Sequence, residues 1–334
     1  MSAGSAARVA VAVAAVALLA AAPAALSKSQ LFTLTDILVL GLFAVSYNIL
    51  LGYGGMLSFG HSAYFGLGAY GTALILAHSP GLPPPVAVLG GMAVAIAGGL
   101  LVGCVCVRRS GPYFSMLTLA FGMLFYTGAW KWRSLTQGDD GFGGFVPSEW
   151  FFPLIGAIQT GDYAQIYRMV LLVVGVLLAL TWALMSFTPY GNAVRSVRQN
   201  EERASFLGYD TFTIKLANYM LASALAGIAG GMFVVCHNFV STDVIGLDRS
   251  TEVVMMTYIG GTGWFFGPLL GSAFVVAFGD FLASWTERWQ LVMGGLFVLM
   301  VMYMPKGFSG IVQYAARRRE SGKAARGRVE EARP

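Results

Sequence analysis

Side chains able to do chemistry are few in this chain and widely spaced. Only three histidines, three cysteines and 16 acidic residues stand among 334 positions. His61 lies in a glycine-rich apolar stretch, Leu51–Gly71 (LGYGGMLSFGHSAYFGLGAYG). An imidazole titrates near neutrality and suits a proton relay. No carboxylate is spaced to partner it, so the competing reading is a structural histidine bonded to a broken helix end. Asn48 and Ser58 are polar neighbours that either face a permeation route or hold two helices together. Asp139–Asp140 is an acidic pair inside Trp130–Trp150 (WKWRSLTQGDDGFGGFVPSEW). A metal or a diphosphate ester would require a second acidic cluster opposite it, and the sequence offers none. The pair therefore belongs to a solvated turn or to a docking surface for an extracytoplasmic protein. Cys104, Cys106 and Cys236 all sit in apolar runs and read as small buried hydrophobes, with no disulfide framework or zinc site. No catalytic set and no metal ligands are expected.

The elements that position these groups are membrane helices. The chain is 57% hydrophobic and 11% charged, with a mean hydropathy of +0.69; soluble domains carry about 25% charged residues. A span needs roughly 20 apolar residues. The candidates are Val9–Leu26, Leu31–Leu51, Ser62–His78, Val86–Val107, Pro112–Trp130, Ile166–Phe187, Ile214–Cys236, Phe266–Ala283 and Trp289–Met304. A shorter apolar segment, Arg249–Thr262, is either a half-span or a crossing helix. Counted as a crossing, it gives ten spans with both termini cytoplasmic. The expected fold class is all-α: a polytopic bundle with glycine-rich broken or short helices.

The net charge of +5 is concentrated after Pro305, in Lys306, Arg317, Arg318, Arg319, Lys323, Arg326, Arg328 and Arg333. Such a tail suits the cytoplasmic face of a membrane with anionic lipid rather than nucleic acid. Residues 1–30 read as a retained first helix, with a cleaved signal segment as the competing reading. The longest stretch outside the spans, Lys131–Gln165, is shorter than the roughly 50 residues of a small domain. The chain's work is therefore done inside the bundle or through partners.

Two glycine-rich stretches interrupt apolar helices, Leu51–Gly71 and Ile259–Gly271 (IGGTGWFFGPLLG). Lipid satisfies no backbone N–H or C=O, so irregular backbone at membrane depth survives only within protein or beside a hydrated cavity. These breaks either hold a transported substrate or let helices pack closely, a role that suits Gly66, Gly68 and Gly71. Arg249 and Glu252 are spaced to pair on one helix face. Few carboxylates fall inside spans, with Asp280 the deepest. Their scarcity argues against proton or sodium coupling.

Between two apolar runs lies Pro189–Asp210 (PYGNAVRSVRQNEERASFLGYD). Set on one helix over Asn192–Gly208, Ala193, Val194, Val197, Ala204 and Leu207 share an arc of about 140°. Arg195, Arg198 and Glu202 occupy the neighbouring arc, with Arg198 and Glu202 spaced for an i,i+4 pair. Gly208 is a suitable stop. This is either a connector lying on the membrane surface or a helix that docks into a cleft of another protein.

The segment SVRQNEERASFLGYDTFTIKLANYMLASALAGIAGGM resembles the cytoplasmic loop and following helix of bacterial branched-chain amino acid ABC transporter permeases of the LivM type. The resemblance extends to LLGYGGMLSFGHSAYFGLGAYGTALI, to YFSMLTLAFGMLFYTGAWKWRSLTQGDDGFGG, to IGGTGWFFGPLLGSAF and to MYMPKGFSGIV. It covers residues 31–312, leaving 1–30 as the less distinctive N-terminal helix and 313–334 as the tail. It implies a non-enzymatic membrane subunit of an importer in the bacterial inner membrane. The implied partners are a second permease subunit, two ATPase subunits and a periplasmic substrate-binding protein. Glu201, Glu202, Ala204 and Gly208 match the family's coupling motif; Arg203 stands where alanine is frequent. With Arg195 and Arg198 they are the expected coupling residues, within segment 189–210. The chain has no G-x-x-x-x-G-K-[ST] loop, so ATP and magnesium are expected on the partner subunits. Candidate residues along the route are Asn48, Tyr53, Ser58, His61, Ser62, Gly260 and Gly261. Asp139 and Asp140 are the candidates for docking the binding protein. The rival readings are a urea or short-chain amide permease, an ion-coupled secondary transporter and an intramembrane transferase.

Overall fold

The computed structural model describes residues 19, 21–23, 26–79, 81–152, 156–304 and 307–310. The expected first helix lies almost wholly outside these residues, and the basic tail lies entirely outside them. Helix α1 (Lys28–Asn48) starts in a capping box between Ser27 and Gln30 and runs into a π turn, Ile49–Tyr53. After an irregular stretch come α2 (Ser62–His78), α3 (Pro84–Cys106), α4 (Pro112–Lys131) and the single turn α5 (Arg133–Thr136). Then follow α6 (Tyr163–Phe187), α7 (Pro189–Gln199), α8 (Glu201–Phe206) and α9 (Thr211–His237). The chain continues through α10 (Leu247–Gly260), α11 (Gly267–Ala283) and α12 (Trp289–Tyr303).

Five described helical stretches are long and apolar enough to cross a membrane: Lys28–Tyr53, Pro84–Cys106, Tyr163–Phe187, Thr211–His237 and Trp289–Gly310. In an 18-residue apolar window of each, 78% of the residues are buried for Lys28–Tyr53 and 72% for Thr211–His237, against 12% for Trp289–Gly310. The first two form the centre of the bundle, and α12 turns its apolar side chains outward. Helices α2, α10 and α11, with 17, 14 and 17 residues, reach about 26, 21 and 26 Å at 1.5 Å per residue, less than the roughly 30 Å apolar slab. The segment expected as a half-span or crossing is thus a short helix enclosed in the bundle, with Val253, Met256 and Ile259 buried.

The fold is not purely helical. Strand β1 (Phe142–Gly143) pairs antiparallel with β4 (Phe239–Val240), and β2 (Glu149–Phe152) pairs with β3 (Gly156–Gln159). Where a solvated turn or docking loop was expected, these ladders build a small cap over one end of the bundle. Phe145, Val146, Trp150 and Ile158 are buried in it. An extended aromatic run with glycine at its turns favours strand pairing over helix.

Candidate functional site

The break after α1 begins with the π turn. Gly54 N–H donates to the Ile49 carbonyl and Met56 N–H to the Leu50 carbonyl. Gly55 takes a positive φ of 70°, and the backbone stays irregular from 55 to 60. Side chains from other helices satisfy the exposed backbone. Asn218 Nδ2 donates to the Ile49 carbonyl at 3.0 Å, and Ser115 Oγ donates to the Leu57 carbonyl at 2.6 Å. Phe59 N–H donates to Thr118 Oγ1 at 3.3 Å. Ser62 N–H donates to Ser250 Oγ at 3.1 Å, and Ser62 Oγ donates to the Ile245 carbonyl at 2.8 Å. Irregular backbone at this depth is therefore held by protein, as the absence of solvent demands.

The second break follows α10. Gly261, at φ 96°, turns the chain, and a Cβ on Gly260 would lie 2.0 Å from the Gly267 carbonyl oxygen. Although the residues that meet stand as far as 216 positions apart in sequence, the two breaks touch. Asn48 Nδ2 donates to the Trp264 carbonyl at 3.2 Å. A Cβ on Gly52 would lie 2.7 Å from the Thr262 carbonyl oxygen. Tyr53 meets Phe265 edge-on at 6.4 Å. The structure thus gathers Asn48, Tyr53, Gly260 and Gly261 at one junction. Ser58, His61 and Ser62 line the continuation of the first break.

Several fully buried polar atoms there have no hydrogen-bond partner among the described residues: Asn48 Oδ1, Ser58 Oγ, His61 Nδ1 and Asn218 Oδ1. Buried polar atoms are nearly always paired, so this concentration marks a place suited to water or a polar solute. Sequence reasoning missed Asn218, which sits in the apolar run of α9; an amide among Leu216, Ala217 and Tyr219 was the available signal. His61 is stacked on Phe43, with ring centroids 5.5 Å apart. Its Nε2 lies 2.9 Å from Ser46 Oγ, whose hydroxyl donates to the Phe43 carbonyl. Ser46 is therefore the acceptor and His61 Nε2–H the donor. Among the described residues, no acidic group contacts the ring.

The charged segment is two helices rather than one. Asn200 is extended (φ −161°, ψ 106°), and its Oδ1 accepts from Arg203 N–H at 2.8 Å, capping α8. Asparagine is among the best N-cap residues, and Glu201 and Glu202 in the first turn favour the helix dipole. The expected i,i+4 pairing of Arg198 with Glu202 is lost with the continuous helix. Glu201 instead pairs with Lys215 and accepts from Ser110 Oγ at 3.4 Å. Glu202 is exposed and Ala204 buried. Gly208 ends the segment at φ 88°.

The apolar arc also divides. Ala193, Val194, Val197 and Ala204 are buried within this chain, whereas Phe206 is 84% exposed and Leu207 73%. Arg195 donates to the Met185 and Gly191 carbonyls and lies over the Tyr53 ring, 5.6 Å from its centroid. Arg198 donates to the Gly52 carbonyl. Both guanidinium groups face this chain's own backbone. Burial raises the Tyr190 phenol to about 12.

In the cap, Asp139 and Asp140 part company. Asp139 accepts from Thr242 Oγ1 at 2.6 Å and from Trp130 Nε1 at 2.8 Å. These two bonds, Thr242 first, hold its carboxyl below the usual range. Asp140 is exposed.

Comparison with known proteins gives a family match over residues 29–301, to the permease component of branched-chain amino acid transport systems. The chain is 28% identical over 299 residues to the Escherichia coli K12 high-affinity branched-chain amino acid transport system permease protein LivM, covering 82% of this chain and 68% of that one. Identity to the Salmonella typhimurium LivM protein is 26% over 304 residues, covering 85% and 71%. Identity to the Salmonella typhimurium high-affinity branched-chain amino acid transport system permease protein LivH is 24% over 286 residues, covering 80% and 90%.

Proposed function

Because the chain belongs to the family of branched-chain amino acid transport permease components, we propose that it is one of two permease subunits of an ATP-driven importer of branched-chain amino acids. In this reading it crosses the bacterial inner membrane about ten times, with both termini in the cytoplasm. A second, different permease completes the substrate route. Two ATPase subunits carry ATP and magnesium, and a periplasmic protein delivers the amino acid to the capped end. The junction of the two breaks lies on the route.

The observation that carries the proposal is the tip of the 189–210 segment. Phe206 and Leu207 project from α8 beside exposed Glu202, while the rest of the apolar arc is covered by the chain itself. An apolar knob with an adjacent charge, on the side of the bundle opposite the cap, suits insertion into a cleft of a soluble partner. To the expected coupling residue Glu202 this adds Phe206 and Leu207 as docking contacts.

The test is Leu207→Asp in the full chain, co-expressed with the neighbouring ATPases. Loss of ATPase co-purification, with the variant still inserted and monodisperse, is the expected result. Retained ATPase and full amino acid uptake would overturn the assignment. Binding of leucine, urea and short amides to the cognate binding protein identifies the substrate.

A further inference from the structure

The two arginines of α7 bond this chain's own backbone, and they land on the break. Helix α1 ends at the π turn, where carbonyls lack intrahelical donors and the helix dipole leaves a partial negative charge. Two of those carbonyls are served by later backbone N–H groups, Leu50 by Met56 and Leu51 by Gly55. Ile49 receives Gly54 N–H and Asn218 Nδ2. Gly52 receives Arg198 from α7, 146 residues away. The stem of Arg198 also lies against Gly55, where a Cβ would come 3.0 Å from its Cγ. One residue further on, Tyr53 lies beneath the Arg195 guanidinium. Arg195 in turn binds the Met185 carbonyl of α6 and the Gly191 carbonyl of its own helix.

We propose that Arg198 is a positioning residue that caps the broken end of α1 and fastens α7 to it, with Arg195 as its second point of attachment, so that displacement of the 189–210 segment moves the Gly52–Gly55 break. The inference rests on the importer reading and specifies the internal link that reading lacks. The mechanical logic is local. Residues 55–60 hold no regular hydrogen-bond ladder, so a pull on Gly52 is absorbed there rather than along the whole of α1. Gly52 also abuts the Thr262 carbonyl, so the same displacement reaches the second break. A charge-assisted bond to a backbone carbonyl is stronger than a neutral one, and it acts without needing the side chain's contact with any partner.

The experiment uses the complete assembly in proteoliposomes, comparing wild type with Arg198→Ala and Arg198→Lys. Leucine uptake, ATP hydrolysis and ATPase co-purification are measured together. Arg198→Ala is expected to keep its ATPase partners and its hydrolysis, but to move at least about tenfold less leucine per ATP, a typical size for coupling between sites. Arg198→Lys recovers part of the loss, because an ammonium also donates to a carbonyl. Hydrogen exchange over 49–55 is the second readout: a nucleotide-dependent change in wild type disappears in Arg198→Ala. Should Arg198→Ala not accumulate, Arg198→Gln takes its place, with the same exchange readout. Unchanged leucine per ATP with an unchanged exchange response overturns the link while leaving the importer reading intact. Lost ATPase binding in Arg198→Ala overturns it as well, since Arg198 then acts at the docking surface. A wild-type assembly that recruits no ATPase overturns the importer reading and the link with it.

Discussion

Asp139 shows how an exposed carboxylate is also engaged by its neighbours. As one of an acidic pair it was expected to offer a charge to a docking protein. Both of its oxygens accept bonds from within the chain, joining the end of α4 through Trp130 to the turn before α10 through Thr242. These bonds favour the charged form and lower its pKa. A group whose native pKa is depressed contributes stability above its unfolded value, about 3.9 for aspartate, and that contribution is lost as pH falls through the native value. Asp139→Asn is accordingly expected to unfold at lower temperature than wild type at pH 7, with the gap closing toward pH 3. Thermal unfolding of both proteins in detergent at the two pH values checks this; a gap that stays constant would count against the tie. Asp140 remains the free acidic group of the pair. The arginines tell a similar story. Their charge was legible in the sequence, but their direction was not, because a guanidinium on a long stem reaches whichever carbonyl the fold brings near.

At the scale of elements, small residues decide which helices become neighbours. A Cβ on Gly68 of α2 would lie 2.1 Å from the Gly227 carbonyl oxygen of α9, and one on Gly71 would lie 3.0 Å from Gly91 Cα of α3. A Cβ on Gly66 would strike Ile245 at 2.1 Å. These three glycines were read in the sequence as packing residues, and their surroundings leave no room for a side chain. Gly128 in α4 faces open space, with nothing within 4 Å of where a Cβ would stand. Gly68→Val is expected to destabilise the protein by about 1–3 kcal/mol, the usual cost of overpacking. Gly128→Ala is expected to be neutral or to stabilise by up to about 1 kcal/mol through helix propensity. Thermal unfolding in one detergent compares the two directly, and equal effects would contradict the packing argument. The 189–210 segment makes the same point about helices. Amphipathic periodicity was present, but one asparagine that caps its own backbone split the helix and turned its second half outward.

At the scale of the whole molecule, the described acidic groups pair away from the junction of the two breaks. Asp36 and His237 lie 3.6 Å apart, and Arg249 bonds Glu252 at 2.6 Å, as the spacing of the latter pair predicted. Thr33 ties Asp280, the deepest expected carboxylate, to α1 at 3.0 Å. None of these contacts the junction of the breaks, where the polar groups among the described residues are amides, hydroxyls, a histidine and the Arg195 and Arg198 guanidinium groups, with no acidic neighbour. Such a lining gives an ion gradient no titrating chain to act upon. In proteoliposomes holding the full assembly and internal ATP, leucine uptake is expected to survive ionophores that collapse the proton and sodium gradients. It is expected to stop when ATP is replaced by a non-hydrolysable analogue, and the reverse pattern would favour a secondary transporter.

The sequence by itself determined the class of solvent, the two glycine-rich breaks and the family, because each rests on composition or on motifs read over short windows. A run of apolar residues and a glycine pair carry their meaning locally. It did not determine what covers each apolar face. Periodicity records that Val197 and Leu207 both avoid water, and it is silent on whether the chain itself, lipid or a partner provides the shelter. Only the packed bundle placed Val197 inside and Leu207 outside. It also brought Asn48 to Trp264, Asn218 to Ile49 and Arg198 to Gly52 across long sequence separations, and the first of these contacts joins the two separate breaks.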